Sequence, residues 1–120
     1  LFTDQLQINL PQGDYKMNEK LEALRIKLIT QTLERMNAQG LTHAAQNYTA
    51  RIKEGKKYTK LDIGPACNMS GRYMIENETG NIYGIKAYGV IHRGHYYGTL
   101  DTIDQYDWSG YTAYKINTGA

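Results

Sequence analysis

The segment YGVIHRGHYYGTLDT, residues 88–102, contains several side chains that can bind a ligand. If Arg93 and Gly94 form a two-residue turn, His92 and His95 lie opposite each other, about 5 Å apart at Cβ. Such a pair could hold a phosphate together with Arg93, or a metal ion together with a nearby carboxylate. A polar, solvated hairpin tip is the more common reason for this composition, and a metal needs a third ligand at a predictable spacing.

Three carboxylates follow this segment at every third position, namely Asp101, Asp104 and Asp107. One helical turn would bring at least two of them to a common side, where paired carboxylates can transfer protons if burial raises one pKa. Acidic side chains at a helix start or in a solvated loop are more common. The sequence contains no nucleophile elbow, phosphate-binding glycine loop or zinc-hydrolase motif. We therefore predict a protein that is not an enzyme and that has no cofactor or metal site.

Positive charge is concentrated in the segment RIKEGKKYTK, although the whole chain has a net charge of only +2. Five cations surround a single acid there, and such a cluster can bind phosphate groups. They are Arg51, Lys53, Lys56, Lys57 and Lys60. A lysine-rich solvated loop without a partner would explain the same charge.

Tyrosine is unusually frequent, with eleven residues against one Phe and one Trp. Tyrosine rings on one face of a sheet could stack on unpaired bases next to the basic segment, although strand alternation must turn several rings into the core. We predict binding to nucleic acid or to a nucleoprotein through the five cations. A second candidate contact surface comprises Arg72, His92, Arg93, His95, Tyr96 and Tyr97. The alternatives are a protein–protein interaction module and a binder of a small nucleotide ligand.

The first half of the chain has helical periodicity. Between Met17 and Gln39, apolar residues at spacings of three and four form two adjacent stripes, and Gly40 follows as a stop signal. The first stripe comprises Met17, Leu21, Leu24 and Leu28, and the second comprises Ile26, Ile29, Leu33 and Met36. Thr42 can start a second helix that ends near Glu54, so residues 17–55 are predicted to form a helical hairpin. Because the apolar arc is wide, the first helix should be covered on two sides, by the sheet and by the second helix or another subunit. We predict self-association.

Residues 57–117 instead have short Tyr- and Ile-rich segments closed by Gly or Asn, which are typical of strands and turns. Predicted strands cover residues 58–63, 72–76, 81–86, 88–92, 95–100 and 110–116, with a helical turn or loop around residues 101–108. In the predicted pairing Gly89 faces Gly98, which indicates a bend in the sheet or, less commonly, a site where another backbone, a ring or a ligand approaches closely. The expected fold is α+β, one domain over residues 1–120, with the helical hairpin packed on an antiparallel meander or small half-barrel.

The expected compartment is the cytoplasm. The sequence has no apolar run of about 18 residues, and its first four residues lack the basic start of a signal peptide. The single cysteine cannot form an internal disulfide. We therefore expect a soluble protein that does not associate with a membrane.

The stretches YTKLDIG, SGRYMIENETGNIYGIKAYGVIHRGHYYGTLDTID and WSGY, within residues 57–112, resemble a family of small proteins from bacteriophages and mobile elements. The segment GPACN is longer here than in that pattern. The resemblance implies a phage-type accessory protein in the cytoplasm of a bacterial host. By analogy, such a protein would bind host or phage nucleic acid, or would block a host defence complex. The slightly basic balance disfavours an acidic mimic of duplex DNA.

Overall fold

The computed structural model describes residues 12–116, with side chains from residue 17 onward. The N-terminal segment used for the signal-peptide prediction and the last residue of the predicted sheet range lie outside these residues. The helices are α1 (Gln12–Ala38) and α2 (Thr42–Ala45), followed later by a 3-10 turn at Ile103–Gln105. The strands are β1 (Tyr48–Lys53), β2 (Tyr58–Pro65), β3 (Ser70–Glu76), β4 (Asn81–Ala87), β5 (Val90–Thr99), β6 (Tyr106–Asp107) and β7 (Tyr114–Lys115).

Strands β1 to β5 form one antiparallel sheet in sequence order, and β6 pairs with β7 in a separate ribbon. This arrangement confirms the predicted α+β class. Closure of the sheet into a half-barrel stays a prediction, as does the single-domain assignment.

Helix α1 covers one face of the five-stranded sheet through its leucines. Leu21, Leu24 and Leu28, from the first predicted stripe, are buried in a core cluster with Ile75 and Trp108. Ile26, in the second stripe, is 49% exposed, so this part of the helix is not covered by the described residues. The predicted self-association is not tested by this exposure and stays a prediction.

The predicted second helix over residues 42–54 is wrong beyond Ala45, because the chain continues as strand β1. A spacing of three and four between Ala45, Tyr48 and Ile52 fits a helix, but alternation over residues 50–53 fits a strand equally well. Ala50 is buried, Ile52 is half-buried, and Arg51 and Lys53 are exposed. Pairing with β2 along six residues satisfies the backbone and favours the strand.

The predicted turn at Arg93 and Gly94 is also wrong. Strand β5 is continuous through both residues, and the chain reverses earlier, at Tyr88 and Gly89, where Gly89 has a φ of 78°. Two candidate turns had the same local chemistry, X-Gly. Tyr96 and Thr99, beyond Gly94, still pair with Tyr83 and Asn81 of β4, which a reversal at Arg93 and Gly94 would prevent. The last predicted strand is shorter than expected and comprises only β7.

Candidate nucleic-acid interface

We call the sheet face opposite α1 the outer face. Directly paired residues of antiparallel strands lie on the same face, so the register identifies one row that crosses all five strands. The row runs Lys53, Lys60, Met74, Tyr83, Tyr96. Lysines therefore occupy its β1 and β2 end, and tyrosines occupy its β4 and β5 end.

The tyrosine end of the row combines a buried ring with an exposed one. The rings of Tyr83 and Tyr96 are 5.7 Å apart at their centroids, with planes tilted by 53°. Tyr83 is only 8% exposed and its hydroxyl accepts a hydrogen bond of 3.2 Å from the Asn81 amide, whereas Tyr96 is 50% exposed. Tyr83 thus supports Tyr96, whose ring is available to a ligand.

Arg93 lies across this end of the outer face. Its guanidinium is 5.4 Å from the centroid of Tyr83 and 5.9 Å from that of Tyr58, and it donates a hydrogen bond to the Tyr58 hydroxyl. A salt bridge of 3.5 Å joins it to Glu76. A hydrogen bond from Thr79 and the charge of Arg93 hold the pKa of Glu76 below its usual value, so Glu76 is ionised at neutral pH.

The opposite end of the outer face contains a buried carboxylate. Asp62 is 1% exposed, and its Oδ2 atom accepts hydrogen bonds from Arg51, at 2.9 Å, and from the Tyr88 hydroxyl, at 3.2 Å. The hydrogen bond to Asp62 raises the pKa of Arg51 above its usual value. The ammonium group of Lys60 lies 4.9 Å from the centroid of the Tyr88 ring. Asp62 therefore fixes a cation and a ring, and part of the Arg51 charge is neutralised.

The loop between β1 and β2, which carries Lys56 and Lys57, is held by the side chain of Asn77. Its amide donates to the carbonyl oxygens of Gly55, at 2.8 Å, and Lys56, at 3.1 Å. The Thr59 hydroxyl, in a residue 2% exposed, donates to Asn77 Oδ1 at 2.7 Å. One side chain thus fixes the position of the two loop lysines beside the outer face.

We expect Asn77→Ala to lower the free energy of unfolding by about 1–3 kcal/mol, because the buried Thr59 hydroxyl loses its acceptor and two loop carbonyls lose a donor. Urea unfolding followed by circular dichroism measures the change. The matched control is Asn68→Ala, at an exposed position without a side-chain hydrogen bond in the described structure. Equal unfolding midpoints for the two variants would contradict this role of Asn77.

The two histidines are neighbours, but not across a turn. Their rings stack with centroids 3.9 Å apart and planes 9° apart, beside a register shift in β5 opposite Tyr83 and Gly84. Imidazole lone pairs lie in the ring plane, so two stacked rings cannot both bind one metal ion at about 2 Å. Nδ1 of His92 is buried without a hydrogen-bond partner. The arrangement does not favour a metal site formed by the two histidines.

The three aspartates are held apart by different partners. Asp101 forms a salt bridge of 2.7 Å with Lys20, and Asp104 one of 3.0 Å with Lys27, so both tie the chain after β5 to α1. Asp107 accepts hydrogen bonds from Ser109, and these lower its pKa. No paired-carboxylate site for proton transfer arises from them.

The second candidate contact surface is divided by the fold. Arg93 and Tyr96 lie on the outer face, whereas Arg72 donates to the carbonyl of Gly110 at 3.3 Å and stacks on Tyr111. Tyr97 packs edge-on against the core residue Tyr73, with centroids 5.4 Å apart. Arg72 and Tyr97, with His92 and His95, therefore do not belong to the outer-face surface. Of the five predicted cations, Arg51, Lys53 and Lys60 lie on that face, and Lys56 and Lys57 lie in the adjoining loop.

The roles of Asp62, Asn77 and Tyr88 were missed by sequence reasoning. Asp62 follows a basic segment, which predicts a solvent-exposed acid. Asn77 lies in a turn-forming segment, which predicts an ordinary turn residue. Their contacts join residues 11 to 26 positions apart. A weak signal was the alternation TKLDI, which places Asp62 on the same side of β2 as Lys60.

Comparisons with protein-family models, curated proteins and solved structures gave no match. The resemblance to phage proteins therefore stays a prediction. No helix among residues 12–116 has the length and apolar character required to cross a membrane.

Proposed function

We propose that the protein binds nucleic acid through its outer face, without catalysis. The observation that carries this proposal is the mixed row across the sheet, in which Lys53 and Lys60 share one face with Tyr83 and Tyr96. Cations can neutralise phosphates, and exposed rings can stack on bases. The resemblance to phage proteins makes phage or host nucleic acid the proposed ligand.

The charge balance supports this assignment. The outer face and its adjoining loop carry six cations and three acids. The cations are Arg51, Lys53, Lys56, Lys57, Lys60 and Arg93, and the acids are Glu54, Asp62 and Glu76. Salt bridges use Asp62 and Glu76 for two arginines. The described lysines of this set have no salt bridge, so they are the cations most available to phosphates.

The test of this proposal compares two double variants. One removes two positive charges from the outer face, and the other removes two positive charges from α1. We expect Lys53→Gln/Lys60→Gln to weaken oligonucleotide binding roughly 25-fold at about 0.1 M salt, because each phosphate contact contributes about 0.7 to the slope of log K against log salt. The magnitude of this slope should decrease by about 1.4, because two phosphate contacts are lost. Fluorescence anisotropy over a salt series measures both quantities.

The matched control is Lys20→Gln/Lys27→Gln, which changes the net charge equally on α1, on the other side of the sheet. Its affinity and salt slope should remain within about twofold of the parent protein. Equal losses in the two double variants would show that only overall charge matters and would contradict an outer-face site. Absence of oligonucleotide binding together with salt-tolerant capture of a protein would instead support the interaction-module alternative.

A further inference from the structure

We infer that the ligand of the outer face is an unpaired strand, with one base stacked on Tyr88 and another on Tyr96. This inference rests on the proposed function and specifies its class of nucleic acid. Tyr88 and Tyr96 are each 50% exposed, whereas Tyr83 is 8% exposed and Tyr58 is half-buried. The ammonium group of Lys60 lies 4.9 Å from the centroid of Tyr88, and its flexible side chain can turn from the ring to a phosphate when a base stacks there. Two rings of this face are therefore available for stacking.

The spacing of the two rings fits a short strand. Tyr96 pairs with Tyr83, and Tyr88 follows five residues after Tyr83, so at most roughly 16 Å of extended chain separates the two positions. A single strand with a rise of about 3.4 Å per nucleotide spans this distance in about five steps, and an extended strand needs fewer. Lys60 lies beside Tyr88, and Arg93 lies beside Tyr83, whose ring contacts Tyr96, so both cations can reach phosphates between the two stacking positions.

The position of Tyr88 is fixed before any ligand binds. A Cβ atom added to Gly71 would lie 2.9 Å from Tyr88 Cδ1 and 2.9 Å from Ile85 Cδ1. The Tyr88 ring therefore packs so close to the Gly71 backbone that there is no room for a side chain at this position. Its hydroxyl donates to the buried Asp62. A ring fixed in this way loses little conformational freedom when a base stacks on it.

A duplex would use only part of this surface. Its bases are paired and stacked on each other, so their faces are not accessible to Tyr88 or Tyr96, and only the cations would contribute. Each stacked base in a single strand strengthens binding roughly 5- to 150-fold. The face should therefore distinguish an unpaired strand from a duplex with the same number of phosphates.

The experiment measures anisotropy of a labelled oligothymidylate of about eight nucleotides and of a hairpin duplex with the same number of phosphates. We expect the unpaired strand to bind at least tenfold more tightly. Tyr88→Leu and Tyr96→Leu should each weaken its binding about tenfold and leave duplex binding and the salt slope unchanged. Tyr111→Leu is the control and should have no effect, because the Tyr111 ring is 75% exposed but lies beside Arg72, away from the outer face.

Gly71→Ala adds a positional test, because it displaces the Tyr88 ring without removing a ring or a charge. Single-strand affinity should fall about fivefold or more, with an unchanged salt slope. If this variant does not fold, as judged by circular dichroism, Tyr88→Leu decides the role of that ring.

Two outcomes would overturn the inference and keep the proposed function: equal affinity for duplex and single strand, or no effect of either tyrosine change while Lys53→Gln/Lys60→Gln still weakens binding. If neither oligonucleotide binds the parent protein, the proposed function itself fails. A length series separates the two stacking positions, because affinity should stop rising once the strand reaches both rings.

Discussion

Trp108→Ala is expected to lower the free energy of unfolding by about 3–5 kcal/mol. Trp108 is fully buried at 0% exposure and is the largest buried side chain in the described structure. Its indole N–H donates to the Ile103 carbonyl at 2.9 Å, and its ring meets Tyr73 edge-on with centroids 5.3 Å apart. Truncation leaves a cavity and an unpaired carbonyl, and both penalties act together.

Trp108 also joins the chain after β5 to the helix, because its backbone N–H donates to Gln31 Oε1 at 2.6 Å. Urea unfolding measures the loss, and Trp108→Phe serves as the control that keeps most of the ring but removes the indole donor. We expect Trp108→Phe to lose less than half as much stability as Trp108→Ala. A loss below about 1 kcal/mol for Trp108→Ala would contradict a packed core at this position.

Binding by the outer face should survive Trp108→Phe, because Trp108 lies in the core cluster on the α1 side of the sheet. The core and the proposed binding face thus lie on opposite sides of the sheet. Oligonucleotide affinity measured at low temperature, where the variant is folded, should stay within about twofold of the parent value. A larger change would mean that the core and the outer face are coupled.

Prediction succeeded where the residue pattern fitted only one type of secondary structure. Leu21, Leu24 and Leu28 recur with helical spacing over a long segment, so α1 and its buried side could be predicted. The hairpin of β3 and β4 was predictable because a turn-forming segment ending at Gly80 separates two apolar strands. Local signals were sufficient there because they agreed with each other.

Prediction failed where two local solutions were equally good. Tyr48 and Ile52 fit both helix and strand, and Gly89 and Gly94 could each end a turn. The choice depends on partners distant in the chain, since β1 is fixed by β2 and β5 is fixed by apolar contacts with β4. A single sequence contains no direct signal for such pairing.

The candidate site was partly accessible from the sequence. Charge counting found Lys53 and Lys60, whereas strand alternation indicated only that the tyrosines divide between the two faces of the sheet. The division of the second contact group, with Arg72 directed to Gly110, depends on how the chain after β5 packs. The charges and rings of individual residues can be identified from the sequence. Whether these residues lie on the same face of the sheet depends on how the strands are paired.

Gly98→Ala is expected to lower the free energy of unfolding by about 3 kcal/mol or more, because the added Cβ atom strains the backbone and also clashes with neighbouring side chains. Gly98 has a φ of 77°, where a residue with a Cβ atom loses roughly 1–2 kcal/mol. An added Cβ atom would also lie 2.4 Å from Thr102 Oγ1 and 2.9 Å from Tyr106 Cε1. The Thr102 hydroxyl cannot move freely, because it accepts a hydrogen bond of 2.9 Å from the Thr99 N–H.

Gly40→Ala separates these costs, because Gly40 has a similar φ of 81° and an added Cβ atom would meet no atom within 4 Å. Its loss in urea unfolding should therefore reflect backbone strain alone, about 1–2 kcal/mol. The difference between the two variants measures the contact with Thr102 and Tyr106, which directs the chain from β5 back over the core toward Trp108. Equal losses would show that this contact relaxes without cost, and that positive φ alone requires glycine at position 98.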